Sequence, residues 1–110
     1  MGGFLGKSVY LPAMGAEDDT VTVSGISGGG FTAIQMHTIY SGTIKGSGLI
    51  ASRSYGVEPW DTEQTNTGTE SINRANKYWD EELIDDPANL NGDPVYIYGG
   101  GKDTSVPTNM

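Results

Sequence analysis

The sequence predicts an α/β fold, and three stretches of it carry that prediction. Val21-Thr22-Val23-Ser24 alternates apolar and polar side chains as a half-buried strand does, a glycine-rich break follows, and an apolar-periodic run continues to Tyr40. Val95-Tyr96-Ile97-Tyr98 is a run of β-branched and aromatic residues, ended by Gly99-Gly100-Gly101. Between them Ile72, Ala75, Tyr78, Trp79 and Leu83 recur at helical spacing. Strands alternating with helices build a mostly parallel sheet flanked by helices.

At 110 residues and 11.6 kDa the chain is one small domain, residues 1–110. Residues 1–14 read as an N-terminal extension, glycine-containing and weakly apolar, in which Ser8 to Leu11 has the composition of a short edge strand stopped by Pro12. Glu17-Asp18-Asp19-Thr20 is a polar turn that feeds the strand at Val21, and three adjacent acids there form a solvated turn more readily than a metal site. The helix that follows is predicted from about Gly29 to Tyr40. Phe31, Ile34, Met36, Ile39 and Tyr40 leave it little polar face, so it is expected to be largely buried.

Ser41 to Ser47 reads as a turn-rich connection and Gly48-Leu49-Ile50-Ala51 as a second short buried strand, with its C-terminal end on the same side as the glycine-rich turn. Residues 53–71 are polar, with Gly56, Pro59 and Gly68 among Thr, Gln and Asn, and predict a surface loop or flap. Tyr55 and Trp60 stand out in it, either as a clamp on a substrate or as anchors to the body of the domain. A second helix is predicted from Ser71 to about Ile84. Its end at Asp80-Glu81-Glu82 opposes the helix dipole and is expected to fray. Asp85 to Pro94 is only superficially a calcium loop: with Gly92 at the sixth position, Pro87 and Tyr98 occupy places that need oxygen ligands.

The chemistry concentrates in VTVSGISGGGFTA, Val21 to Ala33. Gly25-Ile26-Ser27-Gly28-Gly29 matches G-x-S-x-G, the nucleophile elbow, in which a serine sits on a strained corner between strand and helix with its hydroxyl above the sheet. A side chain at position 25 or 29 is expected to crowd that corner, and glycine also reaches backbone angles that a Cβ forbids. Ser27 at the helix N-terminus is the candidate nucleophile. The N–H of Gly28 is the candidate donor to a developing oxyanion, where the helix field favours negative charge.

Other readings of the same turn compete. Gly25 to Thr32 nearly spells a phosphate-binding G-x-x-x-x-G-K-[ST] loop, but Phe31 stands in place of the lysine. Gly28 to Ala33 fits the dinucleotide pattern G-x-G-x-x-A, yet the acid required roughly 20 residues on is missing from Gly48 to Ala51. A glycine-rich turn without chemistry also fits. His37, the single histidine, lies ten residues beyond Ser27, about 15 Å along a helix at 1.5 Å per residue. That is beyond hydrogen-bond reach, so His37 reads as a core or helix-surface histidine and not as the base for Ser27.

Asp103 follows the Val95 strand and falls where an orienting acid stands in the order Ser, then Asp or Glu, then His. A loop aspartate capping a turn before Pro107 fits it equally well. Charge narrows the partners. A net charge of −8 and a pI near 4.2 exclude a surface for nucleic acid or anionic membranes. With no cysteine there is neither a disulfide framework nor a thiolate metal site. No span of about 20 apolar residues is present to cross a membrane. Lys7 interrupts the mildly apolar MGGFLGKSVYLPAMGA, which makes no convincing secretion signal.

Taken together, LPAMGAEDDTVTVSGISGGGFTAIQMHTIYS, GLIAS, IDDPANL and PVYIYGGGKDTSVPTNM resemble the front part of extracellular polyhydroxybutyrate depolymerases and related esterases. The resemblance runs from Leu11 to Met110, with a poorly matched middle. It implies a partial α/β-hydrolase of the circularly permuted kind, acting on ester or polyester substrates outside the cell, with no cofactor and no metal. It also implies Ser27 as nucleophile, Gly28 as one oxyanion N–H and Asp103 as the triad acid. The family's cysteines near Tyr55, its second oxyanion donor and its catalytic histidine have no counterpart here. A missing C-terminal portion or a second chain is therefore the expected partner. Alone, the chain is expected to be a hydrolase segment without activity, or else a remnant that binds a polyester or a partner chain. An open three-strand sheet with unpaired edges is expected to be marginally stable.

Overall fold

A computed structural model describes residues 9–57 and 68–106 of the chain. Three parallel strands form one sheet in the order β1-β2-β3: β1 is Val21–Ile26, β2 Ile44–Ile50 and β3 Val95–Tyr98. Helix α1, Gly28–Ile39, connects β1 to β2, and helix α2, Gly68–Asp80, lies between β2 and β3. Short 3-10 turns at Asp18–Thr20 and Pro87–Leu90 complete the elements. The result is a small α/β fold, and all three strands run toward the same edge.

Strand register decides which side chains meet α1. Val23 pairs with Ser47 and Gly25 with Leu49, while Ser47 pairs with Val95 and Leu49 with Ile97. Alternation puts these on one face, which α1 covers through buried Ala33 and His37. The other face carries Ile26, Ile50, Tyr96 and Tyr98, all exposed. Helix α1 is therefore half-covered and not largely buried as its composition predicted: Met36 and Tyr40 are exposed because, among the described residues, only one side of the helix meets the sheet.

Strand β2 corrects the predicted boundaries. The connection after α1 is confined to residues 40–43, and Ile44 to Ser47 belong to the strand. Gly46 and Gly48 lower its β-propensity, yet small residues are needed there. A Cβ on Gly46 would stand 3.1 Å from the carbonyl oxygen of Pro94, and one on Gly48 would stand 3.2 Å from the Cβ of Ser24. Val9 to Leu11 are exposed and outside any strand, so the predicted edge strand does not form over them; Ser8 lies outside the described residues.

Helix α2 also starts and stops earlier than its periodicity predicts. Its end is a Schellman-type cap: Leu83 N–H donates to the carbonyl of Tyr78 and Glu82 N–H to that of Trp79, both at 2.9 Å, with Glu82 at φ +60°. The helix closes in this turn and does not continue to Ile84. Before α2, Arg53, Tyr55 and Val57 are buried, so Tyr55 anchors its segment to the body. The guanidinium of Arg74 donates to the carbonyl of Gly56 and ties α2 to the same turn. Trp60 and the rest of 58–67 lie outside the described residues.

The far end of α1 is held by the segment before β3. Asp85 N–H donates to the carbonyl of Ile39 at 2.9 Å, the Asp85 carboxylate accepts from Gly42 N–H at 3.0 Å, and Ser41 Oγ donates to the carbonyl of Asp86 at 3.0 Å. Asp86 in turn caps the Pro87 turn by accepting from Ala88 N–H at 2.9 Å.

Candidate functional site

Ser27 occupies the single residue between β1 and α1, at φ +53° and ψ −119°. A residue with a Cβ avoids that region, at a cost on the order of 1–3 kcal/mol unless its surroundings fix it. Two backbone bonds fix it here. Ser27 N–H donates to the carbonyl of Ile50 at the tip of β2, and Ser27 C=O accepts from Phe31 N–H, both at 2.9 Å. Its hydroxyl makes no capping bond to the helix, and the residue is exposed at the carboxyl edge of the sheet.

The corner closes because two glycines lack side chains. A Cβ on Gly25 would stand 2.2 Å from the carbonyl carbon of Gly29 and 2.8 Å from the nitrogen of Gly30. A Cβ on Gly30 would stand 2.8 Å from the Cβ of Ser52 and 3.1 Å from the carbonyl oxygen of Ile50. Position 29 differs from the sequence expectation, since a Cβ there would meet nothing within 4 Å, and the same holds at Gly28. The crowding falls on Gly30, which packs against the end of β2, while Gly29 faces outward. Gly28 opens α1, so its N–H has no partner within the helix and points toward the helix N-terminus.

Asp103 lies in the turn that follows β3, five residues past the strand's carboxyl end, while Ser27 follows β1, two strands away in the sheet order. Its Oδ1 accepts from the N–H groups of Ser105 and Val106, each at 2.9 Å, and its own N–H donates to the carbonyl of Gly100 at 3.0 Å. The carboxylate thus caps a turn with one oxygen.

The histidine sits elsewhere. His37 is buried at 1% exposure near the opposite end of α1, with Nε2 2.9 Å from Asp93 Oδ2 and Nδ1 2.9 Å from Ser47 Oγ. A carboxylate only accepts, so Nε2 carries a proton, and in the neutral ring Nδ1 accepts from the Ser47 hydroxyl. His37 is a core residue, joined to partners that sequence reasoning did not single out. Asp93 sits beside Pro94 in the stretch that only superficially resembles a calcium loop, and Ser47 lies within β2, not in the connection that precedes it. Among the described residues no group of three His, Cys, Asp or Glu side chains is placed to hold a metal ion.

Cavities open among the described residues on the α1 side of the sheet and beside α2. One, of about 410 Å³, lies between the ends of β2 and β3 and is lined by Leu49, Ala51, Tyr55, Val95, Ile97 and Val106 among others. The second, of about 680 Å³, lies between α1 and α2, and Ile34 and Tyr55 border both. Ser27 and Asp103 border neither. Burial pushes the Tyr55 hydroxyl above its usual pKa, with Tyr78 adding to the shift and Arg74 opposing it. No helix among the described residues is long and apolar enough to cross a membrane.

The chain is similar to a poly(3-hydroxybutyrate) depolymerase of Delftia acidovorans, 33% identical over an alignment of 119 positions that covers 98% of this chain and 24% of that protein. It is also similar to a polyhydroxybutyrate depolymerase of Talaromyces funiculosus, 34% identical over 106 residues, covering 91% of this chain and 31% of that one. The resemblance to polyhydroxybutyrate depolymerases is thus shown, and the chain spans about a quarter to a third of the length of these curated relatives. No family model matches the chain, and no solved structure matches it.

Proposed function

We propose that the chain is the nucleophile-bearing segment of a depolymerase-like serine esterase, with Ser27 attacking the ester bonds of poly(3-hydroxybutyrate) or of short-chain esters. One observation carries this reading: a serine held at φ +53° on a strand-to-helix corner, its hydroxyl uncapped and exposed at the carboxyl edge of a parallel sheet. Backbone strain of that kind persists where surrounding structure enforces it, and it clusters at sites that use it. The names of the two relatives supply the substrate class.

In the proposed reaction Ser27 Oγ forms a bond to the ester carbonyl carbon while a histidine base takes its proton. The oxyanion that develops accepts from Gly28 N–H at the start of α1. The histidine then protonates the leaving alkoxide, and water releases the acid from acyl-Ser27 by the same steps in reverse order of roles. Asp103 is the proposed orienting acid, and its second carboxylate oxygen is the one offered to the imidazole. The base is a histidine other than His37, which is buried and already bonded on both ring nitrogens. It comes from a portion of the complete enzyme outside these residues or from a second chain, and action outside the cell follows the same resemblance.

These 110 residues alone are accordingly proposed to turn over esters negligibly, because their single histidine, His37, is buried and engaged on both ring nitrogens. The test is transplantation: the chain replaces the matching segment of the Delftia acidovorans enzyme, and p-nitrophenyl butyrate hydrolysis is measured. Activity in the chimaera, lost in its Ser27→Ala form and reduced in its Asp103→Asn form, supports the reading. A folded chimaera with activity indifferent to Ser27→Ala overturns it.

A further inference from the structure

Of the chain's asparagines only Asn91 is followed by a glycine, and the fold sets that pair in an exposed turn. Asn91 at φ −63° and ψ 121° and Gly92 at φ +83° are the central residues of a type II turn from Leu90 to Asp93, closed by Asp93 N–H donating to the carbonyl of Leu90 at 3.1 Å. A Cβ at position 92 would meet nothing within 4 Å, so glycine stands there for its backbone and leaves its nitrogen unshielded. The peptide joining the two residues is the central one of the turn. Glycine accepts either sense of that peptide, so its nitrogen can swing toward the Asn91 side chain without unfolding the segment. Directly beyond the turn lie the groups that tie it to the core. Asp93 Oδ2 is 2.9 Å from Nε2 of buried His37, and the carbonyl of Pro94 accepts from Ser47 N–H at 3.1 Å.

We propose that Asn91 is a site of spontaneous isoaspartate formation, and that the change releases Asp93 from His37. Asparagine is a thermolabile residue, and its side-chain amide carbon is open to attack by the next main-chain nitrogen. The Gly92 nitrogen forms a bond to Asn91 Cγ, the Cγ–Nδ2 bond breaks, and ammonia leaves with the proton given up by Gly92. The resulting succinimide takes up one water. Opening between Gly92 N and Cγ leaves aspartate; opening between Gly92 N and the main-chain carbonyl carbon of residue 91 leaves isoaspartate, with the chain now running through Cβ and Cγ. Neither Ser27 nor ester chemistry takes part. The isoaspartyl link puts an extra methylene into the main chain between Leu90 and Asp93, the stretch that the turn bond closes. With the longer path that bond opens, and Asp93 is drawn off the imidazole. The aspartyl product adds a negative charge at position 91 without lengthening the chain.

The full chain is aged in mildly alkaline buffer and its peptides are mapped by mass spectrometry, with isoaspartate scored by an isoaspartate-specific methyltransferase. Asn91 is expected to convert several-fold faster than Asn73, Asn76 and Asn89, which precede Arg74, Lys77 and Leu90, and to give isoaspartate as well as aspartate. Asn91→Gln removes the five-membered ring and is expected to leave position 91 unconverted. Gly92→Ala is expected to slow conversion several-fold, because a Cβ crowds the attacking nitrogen. The aged chain is then separated and its His37 imidazole followed by NMR. The hydrogen-bonded Nε2–H resonance of the parent is expected to be lost from the isoaspartyl form and kept in Asn91→Asp, which carries the charge alone. Conversion at Asn91 no faster than at Asn89 overturns the proposal, as does an isoaspartyl form that keeps the His37 resonance. Loss of the resonance from Asn91→Asp as well would assign the release to charge and overturn the lengthened turn as its cause.

Discussion

Gly25 and Gly29 approach so closely across the corner between β1 and α1 that a methyl group on the first would stand 2.2 Å from the carbonyl carbon of the second. The atoms in the way are backbone and cannot rotate aside. Gly25→Ala is therefore expected to destabilise the domain by about 3 kcal/mol or more, at the top of the overpacking range. Gly29→Ala meets open space within the first turn of a helix and is expected to be neutral or to stabilise by about 0.5 kcal/mol. Thermal melts of the two variants check the contrast; equal melting temperatures would contradict it.

His37 joins α1 to β2 through Ser47 and to the start of β3 through Asp93. His37→Ala opens a cavity and leaves a hydroxyl and a carboxylate without their partner. A loss of about 3–5 kcal/mol is expected, enough to unfold a small open-sheet domain. Asp93→Asn keeps an acceptor for Nε2–H and is expected to cost less, about 1 kcal/mol. Urea unfolding of both variants reads the difference.

Glu82 holds the left-handed position of the cap that ends α2, where glycine carries no steric cost. Glu82→Gly is expected to stabilise by about 1 kcal/mol, since it relieves that conformation and removes an acid from a helix C-terminus. A rise in melting temperature is the readout, and a fall would show that the Glu82 side chain has a role beyond the cap.

Tyr55 has a raised hydroxyl pKa in the folded chain, chiefly from burial. A raised value means that the folded state holds its proton more tightly than the unfolded one. The associated stability is complete below the unfolded pKa of about 10 and is lost as pH rises through the folded value. The parent should therefore lose stability above about pH 10 more steeply than Tyr55→Phe. Chemical unfolding at a series of alkaline pH values separates the two slopes.

How much of this was legible in the sequence depended on what each residue's neighbours were. β1, β3 and the corner at Ser27 announce themselves locally, through alternation, β-branched runs and a glycine turn, and the structure has all three. Strand β2 was half-hidden, because Gly46 and Gly48 are demanded by Pro94 and Ser24, residues distant in sequence. The same cause moved the tight glycine from position 29 to position 30, whose obstacle is Ser52. Sequence spacing kept His37 away from Ser27 but could not name Asp93, which meets it from 56 residues away. Asp103 shows the turn cap that its surroundings suggested, and the proposed second use of its carboxylate adds to that bond without replacing it.

A nucleophilic Ser27 is open to selective acylation. The chain is incubated with p-nitrophenyl butyrate and free imidazole, which supplies a general base, and the butyrylated peptides are mapped by mass spectrometry. One dominant adduct is expected, on Ser27, dependent on imidazole and absent from Ser27→Ala. Acylation spread over lysines and other serines, with Ser27 unmodified, would contradict it.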